Sequence, residues 1–156
     1  GYFGDSRRQC TCTPTQVNRY RSRISGPLLD RIDIQVEVSN VDYDDLSSTE
    51  NSETSAEIKK RVNKTRKLQL ERYKDYNIYS NSQLDAGMLK KFCPLGEEEN
   101  AILRAAFDNL GLSARAHSRI LKVARTIADL EGSENIKSEH IAEAIQYRSL
   151  DRKYFE

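Results

Sequence analysis

The sequence predicts a mainly α-helical protein, in which a short helix–turn–strand segment precedes a small bundle of helices. Three observations predict this fold class. Residues 55–147 carry apolar side chains at the three- and four-residue spacing of buried helix faces. Capping residues, glycines and prolines separate these stretches. Alternation of apolar and polar residues, which is typical of a strand, occurs at residues 32–38.

The composition excludes several classes of protein. The 156 residues contain 37% hydrophobic and 31% charged side chains, which is polar but compatible with a core. No apolar run approaches the roughly 18 residues of a membrane-spanning helix, so we expect a cytoplasmic protein with no membrane partner. A net charge of +1 gives no overall preference for nucleic acid. Three cysteines, an odd number, favour a reducing compartment over a disulfide framework.

The N-terminal elements follow from local signals. Residues 13–16, Thr-Pro-Thr-Gln, form a helix-capping sequence and predict a short helix to about Ser22. Gly26-Pro27 then breaks the helix. Residues 32–38 predict a half-buried strand, whose partner strands we expect outside this chain. Because Met88 is the only methionine, we expect the chain to be a piece of a larger protein.

Charge divides the chain into three parts. Residues 41–56 carry five acids and no base, interleaved with Ser and Thr, and predict an exposed acidic linker over 41–54. Residues 57–91 carry ten bases and four acids. The sequence therefore divides into a segment over 1–40, the linker, and a helical domain over 55–156.

Five helices are predicted in the C-terminal part. They cover residues 55–73, 83–92, 97–109, 113–130 and 138–147. The fourth helix has a regular apolar stripe, which we expect to be buried: Ala116, Ile120, Val123, Ile127 and Leu130. Ser138 is expected to cap the last helix, in which Ile141, Ala144 and Ile145 should face the core.

The positions of two arginines indicate possible chemistry. Arg31 follows a turn and lies between Asp30 and Asp33. It either forms a structural salt bridge with one of these aspartates or presents its guanidinium group to a phosphate. Arg115 lies in the first turn of a predicted helix, where the helix dipole disfavours a cation unless an anion binds there. The alternative is an exposed arginine that bends back to an acid such as Asp108.

Two further cations continue from Arg115 along one helix face. Arg119 and Lys122 follow at steps of four and three. This stripe is either the rim of a phosphate site or an ordinary solvated face.

Long stretches of the sequence resemble one family. Residues 25–38, SGPLLDRIDIQVEV, and residues 110–153, which begin LGLSARAHSRILKVAR, resemble the C-terminal third of magnesium-chelatase-like AAA+ ATPases. The resemblance is to a competence-related subgroup rather than to the chelatase subunit itself. It implies that residues 1–40 are the end of the AAA+ α/β core and carry the arginine-finger segment. Residues 55–156 would then be the C-terminal helical lid.

The resemblance also implies roles for the arginines. Arg31 matches the arginine finger of the LLDR motif, which reaches the γ-phosphate of ATP in a neighbouring subunit, with Arg23 as the second choice. Arg115, in Ser113-Ala114-Arg115, matches the sensor 2 arginine, which contacts nucleotide phosphate. A homo-oligomeric ring, expected to be a hexamer, would use ATP and Mg²⁺.

The chain lacks other parts of such an enzyme. It contains no G-x-x-x-x-G-K-[S/T] motif and no acidic pair at the end of an apolar strand. We expect the phosphate-binding loop and the magnesium site to precede Gly1 in a longer protein. The fragment alone is therefore expected to be inactive as an ATPase and to bind no ATP or other cofactor.

Cysteine and histidine give no defensible site on this chain. Cys10 and Cys12 could form half of a zinc site, which the resemblance suggests would be completed by a second Cys-x-Cys before Gly1. We expect no metal here and interpret Cys93 as a buried apolar residue. His117 should flank the apolar stripe, and His140 should be solvated.

Three functions remain open at this point. The first is a part of a ring-forming ATPase coupled to DNA processing, because the subgroup is associated with DNA branch migration during competence. The second is a helical nucleic-acid-binding module, and the third is a magnesium-chelatase-type subunit. The second depends on basic residues within 57–74, which cover several helix faces and could equally be solvated: Lys59, Lys60, Arg61, Lys64, Arg66, Lys67, Arg72 and Lys74.

Overall fold

The computed structural model describes residues 1–5, 7–38, 41 and 53–148. Most of the predicted acidic linker, residues 42–52, lies outside the described residues, as do residues 149–156. Within the described residues the regular structure is helical, which confirms the mainly α class. The helices are α1 (Pro14–Arg21), α2 (Gly26–Leu29), α3 (Ser55–Arg72), a 3-10 helix (Asn81–Gln83), α4 (Ala86–Phe92), α5 (Glu97–Leu110), α6 (Ala114–Glu131) and α7 (Ser138–Gln146).

Capping residues fix the starts of α1 and α3. At α1 the Gln16 amide donates to the Thr13 hydroxyl at 3.3 Å, and the Thr13 amide donates back to Gln16 Oε1 at 2.9 Å. Thr54 and Glu57 make the same reciprocal pair at α3. These bonds satisfy backbone amides that have no partner inside the helix.

Other helix starts differ from the prediction. The first helix ends before Gly26-Pro27, as predicted, but Pro27 is compatible with a first helical turn, and the unpredicted helix α2 forms there. Residue 83 ends the 3-10 helix, and α4 begins at Ala86 with Asp85 as its cap. Ser138 is not a cap, because Lys137 holds that position and the Ser138 hydroxyl donates to Glu99 of α5 at 3.0 Å.

Helix α6 is the centre of the bundle. It packs against α7, α3, α4 and the 3-10 helix, while α5 packs against α7. The fully buried apolar positions on α6 are at steps of four: Ala116, Ile120, Ala124 and Ala128. Ile141 and Ala144 of α7 are buried as predicted, and Ile145 is half-buried. None of the helices described here is both long enough and apolar enough to cross a membrane.

The predicted stripe on α6 is only partly right. Ala116 and Ile120 are buried, but Val123 and Ile127 are half-buried and Leu130 is 41% exposed. The reason is that α6 has neighbours on more than one side. Its buried surface is therefore wider than one apolar stripe and also includes charged residues.

The predicted strand over residues 32–38 forms no ladder in the described part of the chain, and because its partner strands are expected outside this chain, its pairing stays a prediction. The segment has no partner strand there, and it is linked to the bundle by a hydrogen bond from the Gln35 amide to the Tyr147 carbonyl at 2.9 Å and by Arg148, which donates to the Ile32 oxygen. Ile34, Val36 and Val38 are exposed, whereas Gln35 is buried. Alternation indicates which residues share a face, but only a partner determines which face is covered.

Candidate functional site

Polar contacts tie the turn that carries Arg31 to the helical bundle. Asp30 accepts a hydrogen bond from the Ser113 hydroxyl at 2.9 Å and an ion-paired hydrogen bond from Arg148 at 3.3 Å. Arg148 also donates to the main-chain oxygen of Ile32. Its side chain is 1% exposed. Arg148 therefore neutralises Asp30 and holds the backbone on both sides of Arg31.

The second aspartate next to Arg31 is also paired. Arg119 of α6 forms a salt bridge with Asp33. Arg31 itself is exposed, and its side chain has no hydrogen bond or ion pair among the residues that the structure describes. Neither of the salt bridges considered for Arg31 from the sequence is formed, because other arginines occupy both aspartates.

Arg115 lies in the first turn of α6, as expected. The Ser113 hydroxyl caps this helix by accepting a hydrogen bond from the Ala116 amide at 3.1 Å. Arg115 is exposed and makes no ion pair with Asp108 or with any other residue in the described ranges. It lines a cleft of about 320 Å³, together with Gly26, Pro27, Asp30, Leu110, Gly111, Leu112 and Ser113.

Arg31 and Arg115 lie in different settings, although one hydrogen bond joins the segments that carry them. The bond between Asp30 and Ser113 joins the Arg31 turn to the start of α6. Arg115 faces the cleft, whereas Arg31 is not among its lining residues. Because Asp30 and Asp33 pair with Arg148 and Arg119, the guanidinium groups of Arg31 and Arg115 have no ion-pair partner among the described residues.

The remaining cations near the site make structural contacts. The guanidinium carbon of Arg23 lies 5.7 Å from the centre of the Tyr20 ring, a cation–π contact. Arg119 pairs with Asp33, and Lys122 donates to the main-chain oxygen of Ser82 at 2.9 Å. Arg119 and Lys122 thus each have a protein partner, so they do not form a free solvated face, and neither lines the cleft beside Arg115.

A buried polar cluster around Asp129 was missed from the sequence. Arg72 of α3 makes two hydrogen bonds to the Asp129 carboxylate, at 2.8 and 2.6 Å. Arg125 and Asn81 donate to it at 3.0 and 2.9 Å. The Tyr73 hydroxyl donates to Asn81 at 2.6 Å and extends the network. One carboxylate thereby connects α3, the 3-10 helix and α6.

The surroundings of Asp129 keep it charged. Burial alone would raise its pKa, but the hydrogen bonds from Arg72 and Asn81, with the charge of Arg125, outweigh this and hold the pKa below its ordinary value. Burial also raises the pKa of Tyr73. The available signal in the sequence was an arginine and an aspartate four positions apart on α6, next to the apolar stripe.

His140 is buried rather than solvated, which corrects the sequence prediction. Its Nδ1 accepts the Lys137 amide hydrogen bond at 2.9 Å, and its Nε2 lies 2.7 Å from a Glu131 oxygen. The hydrogen bond from His140 lowers the pKa of Glu131, and the charge of Lys137 adds to this. His117 is exposed and contacts Phe107 edge-on, with ring centres 6.2 Å apart.

His140 also belongs to a cluster with metal-ligand spacing. Ligand atoms of Glu131, Glu139 and His140 lie within 4.8 Å of one another. Because Nδ1 accepts from a backbone amide, the neutral ring must carry its proton on Nε2, which is the atom that would have to bind a metal. Lys137 also pairs with both glutamates. The donor set therefore suits an ion-paired helix cap and not a metal.

The cysteines are all free thiols. Cys93 is buried, as predicted, and burial raises its pKa to about 11. Hydrogen bonding from the Cys12 backbone lowers the pKa of Cys10. A Cβ atom added to Gly1 would lie 2.5 Å from the Cys12 sulfur and 3.1 Å from the Cys10 sulfur, so both thiols approach one point. Among the described residues, no third metal-ligating side chain lies with Cys10 and Cys12.

The basic residues of α3 divide into two groups. Arg61 pairs with Glu53 at 2.5 Å, Lys74 after the helix pairs with Glu71 at 2.6 Å, and Arg72 belongs to the Asp129 cluster. Arg66 donates to Gln69 at 3.3 Å. The other four are exposed and make no ion pair in the part of the chain described: Lys59, Lys60, Lys64 and Lys67.

Comparisons with known proteins agree with this architecture. The family model "Magnesium chelatase, subunit ChlI" matches residues 1–46, and "Magnesium chelatase, subunit ChlI C-terminal" matches residues 52–148. The competence protein ComM of Haemophilus influenzae is 43% identical over 141 residues, which is 90% of this chain and 27% of ComM. The uncharacterised protein YifB of Escherichia coli is 41% identical over 152 residues, 97% of this chain and 29% of YifB.

A more distant relative is the uncharacterised protein Rv2897c of Mycobacterium tuberculosis, 28% identical over 141 residues, 90% of this chain and 28% of the relative. The chain thus spans under a third of the length of these relatives. The C-terminal family model alone covers more than half of the chain and coincides with the helical bundle. The chain therefore belongs to the magnesium-chelatase-like AAA+ family and contains its C-terminal helical lid domain.

Proposed function

We propose that this chain supplies two arginines to ATP hydrolysis in a ring of identical subunits. Arg31 would act as an arginine finger on the nucleotide of a neighbouring subunit, and Arg115 as the sensor 2 arginine on the nucleotide of its own subunit. The observation that carries the proposal is the pairing pattern. Asp30 and Asp33 bind Arg148 and Arg119, so Arg31 is held in place by its neighbours while its own guanidinium group has no partner among the described residues.

This arrangement suits the binding of phosphate. A guanidinium group binds phosphate through two parallel hydrogen bonds, which requires that the group is not already engaged with a carboxylate. Arg115 meets this condition at the capped start of α6, where the helix dipole also favours an anion. The cleft of about 320 Å³ beside it has room for the phosphate end of a nucleotide.

The residues of this chain fit only part of the nucleotide site. Mg²⁺ needs free carboxylate or hydroxyl oxygens, and the two carboxylates beside Arg31 are ion-paired with arginines. Bound ATP with Mg²⁺ would supply the phosphoryl group, and the protein ligands of the Mg²⁺ would belong to the rest of the whole protein. The role left to this chain is to place positive charge against the phosphates.

Subunit mixing in the full-length protein tests the proposal. One variant carries Arg31→Ala, and the other lacks its phosphate-loop lysine, so that each is inactive alone. Recovery of hydrolysis in the mixture is expected, because the second variant still offers Arg31 to the intact nucleotide site of the first. Loss of a finger is expected to lower turnover by about 10³–10⁵-fold.

Arg23→Ala is the matched control, since Arg23 lies in the same segment but contacts Tyr20. It is expected to keep most of the activity. Full activity of Arg31→Ala on its own would contradict the proposal, and the finger would then have to be another residue.

A second candidate function, compatible with the first, is contact with DNA through α3. It rests on the four exposed lysines that make no ion pair within the described ranges, on a helix whose other cations are engaged. A relative named for competence also favours it. We propose that the ATPase acts in DNA processing such as branch migration and that this face of α3 contacts the phosphate backbone.

The salt dependence of DNA binding tests this second proposal. The plot of log K against log salt has a negative slope. For the double variant Lys60→Gln/Lys64→Gln this slope should become less steep by about two units, one for each lost phosphate contact. The control Lys90→Gln/Arg104→Gln removes the same charge from exposed positions on α4 and α5. Equal slopes for the two double variants would argue against a contact through α3.

A further inference from the structure

The contacts of Asp30 indicate a role for this residue beyond charge balance. We infer that Asp30 is a positioning residue that fixes the Arg31 turn to the start of α6, so that Arg31 and Arg115 are displaced together. The inference rests on the proposed function of the two arginines. Asp30 itself would touch neither nucleotide phosphate nor Mg²⁺.

Both carboxylate oxygens of Asp30 are engaged. Oδ2 accepts from the Ser113 hydroxyl at 2.9 Å, and Oδ1 accepts from Arg148 at 3.3 Å. Ser113 in turn caps α6, in which Arg115 is the second residue. The path from Arg31 to Arg115 therefore consists of one peptide bond, one hydrogen bond and the first turn of a helix.

The turn is held on its other sides as well. Arg148 donates to the Ile32 oxygen directly after Arg31, and Leu29 directly before Asp30 is buried. The backbone around Arg31 is thus fixed at the residues before and after it. A shift of α6 that accompanies a change at Arg115 must either break the bonds of Asp30 or carry Arg31 with it.

Donor and acceptor subunits of the full-length protein separate this role from folding. The acceptor carries Arg31→Ala and keeps an intact nucleotide site. The donor lacks its phosphate-loop lysine and carries Asp30→Ala. Hydrolysis then occurs only at acceptor sites that receive Arg31 from a donor. The KM for ATP therefore measures nucleotide binding at the acceptor site, and kcat measures how well the donor's Arg31 is positioned against that nucleotide.

With the Asp30→Ala donor we expect kcat to fall on the order of 10- to 100-fold, because small misplacements of a reacting group have effects of this size. KM should be unchanged, since the acceptor keeps Asp30 and Arg115. The control donor carries Asp108→Ala, which removes the same charge from an exposed position on α5 and should match the unmodified donor. If the Asp30→Ala donor fails to assemble, Asp30→Asn keeps an acceptor for Ser113 and should show a smaller loss, again in kcat alone.

Two outcomes overturn the inference. Equal kcat values for the Asp30→Ala and Asp108→Ala donors would show that Asp30 does not position Arg31. A rise in KM at constant kcat would show that Asp30 acts elsewhere. If the unmodified donor itself gives no hydrolysis, the proposed function fails first, and the inference fails with it.

Discussion

Asp129 is a buried carboxylate between two arginines, and its removal should affect stability strongly. In Asp129→Asn the charges of Arg72 and Arg125 lose their partner inside the protein. Leaving a buried charge unpaired typically costs about 3–5 kcal/mol. We expect a decrease of that order in the free energy of unfolding, measured by urea denaturation. The control Asp108→Asn, at an exposed position, should change it by less than about 0.5 kcal/mol.

The pKa of Asp129 predicts how this contribution depends on pH. Burial acts against the charged form, but the hydrogen bonds of Arg72 and Asn81 hold the pKa below the ordinary value of about 3.9. A lowered pKa in the folded state stabilises the protein above the unfolded-state pKa, and this stabilisation is lost as pH falls through the folded-state value. Below about pH 4 the unmodified chain should therefore lose stability more steeply than Asp129→Asn. Parallel curves of unfolding free energy against pH would contradict this.

Asp129 also shows why one part of the molecule could not be predicted from the sequence. Arg72 lies 57 positions before it and Asn81 lies 48 positions before it, so their meeting depends on the packing of three elements. In the sequence Arg72 looked like one cation of a solvated basic run. Arg31 and Arg115 are notable in the sequence for their local positions, beside a turn and in a first helical turn, but the roles proposed for them come from the family resemblance.

At the scale of elements, the turn between α5 and α6 depends on Gly111. Its φ of +59° is in the left-handed region, and a Cβ there would contact no atom within 4 Å. Gly111→Ala should therefore destabilise the chain by about 1 kcal/mol through backbone strain alone. Gly111→Asn should cost less, because asparagine tolerates this conformation.

Gly87 is the matched control for this prediction. It lies in α4 with no left-handed φ, and the nearest atom to an added Cβ is an Asp85 oxygen at 3.4 Å. Gly87→Ala should stabilise the protein by about 0.5–1 kcal/mol, because alanine is the better helix former. Thermal unfolding of both variants checks that Gly111→Ala lowers the stability of the protein and Gly87→Ala raises it. A stabilising Gly111→Ala would show that the turn is not strained by a side chain.

Local signals explain which elements could be predicted. Capping residues and glycines lie next to the helix ends that they fix, so α1, α3 and α5 begin where the sequence indicates. The pairing of the strand over 32–38 stays a prediction, because it requires partner strands that are expected outside this chain. The predicted cap of α7 was wrong, since Ser138 contacts Glu99, a residue 39 positions away.

For the whole molecule, the sequence predicts no strong ATP binding by the 156-residue chain alone. A dissociation constant of 1 μM requires about −8.2 kcal/mol. Solvent-exposed ion pairs contribute typically about 0–1 kcal/mol each, and the chain has no phosphate-cradling loop to add to Arg31 and Arg115. Titration calorimetry should detect no saturable binding near micromolar ATP. Micromolar binding that Arg115→Ala abolishes would contradict this expectation.

The docking of the Arg31 turn has a consequence for the order of folding. Asp30 and Arg148 are 118 positions apart, so their contact closes most of the described chain into a single loop. Closing such a loop costs conformational entropy, and the contacts of Arg148 offset this cost only after α7 has packed against α6. The local helical contacts can form first, and the Arg31 turn docks in a late step. A chain interrupted before its last helix would keep Arg31 in its sequence but would lack the contacts that give this residue a defined position.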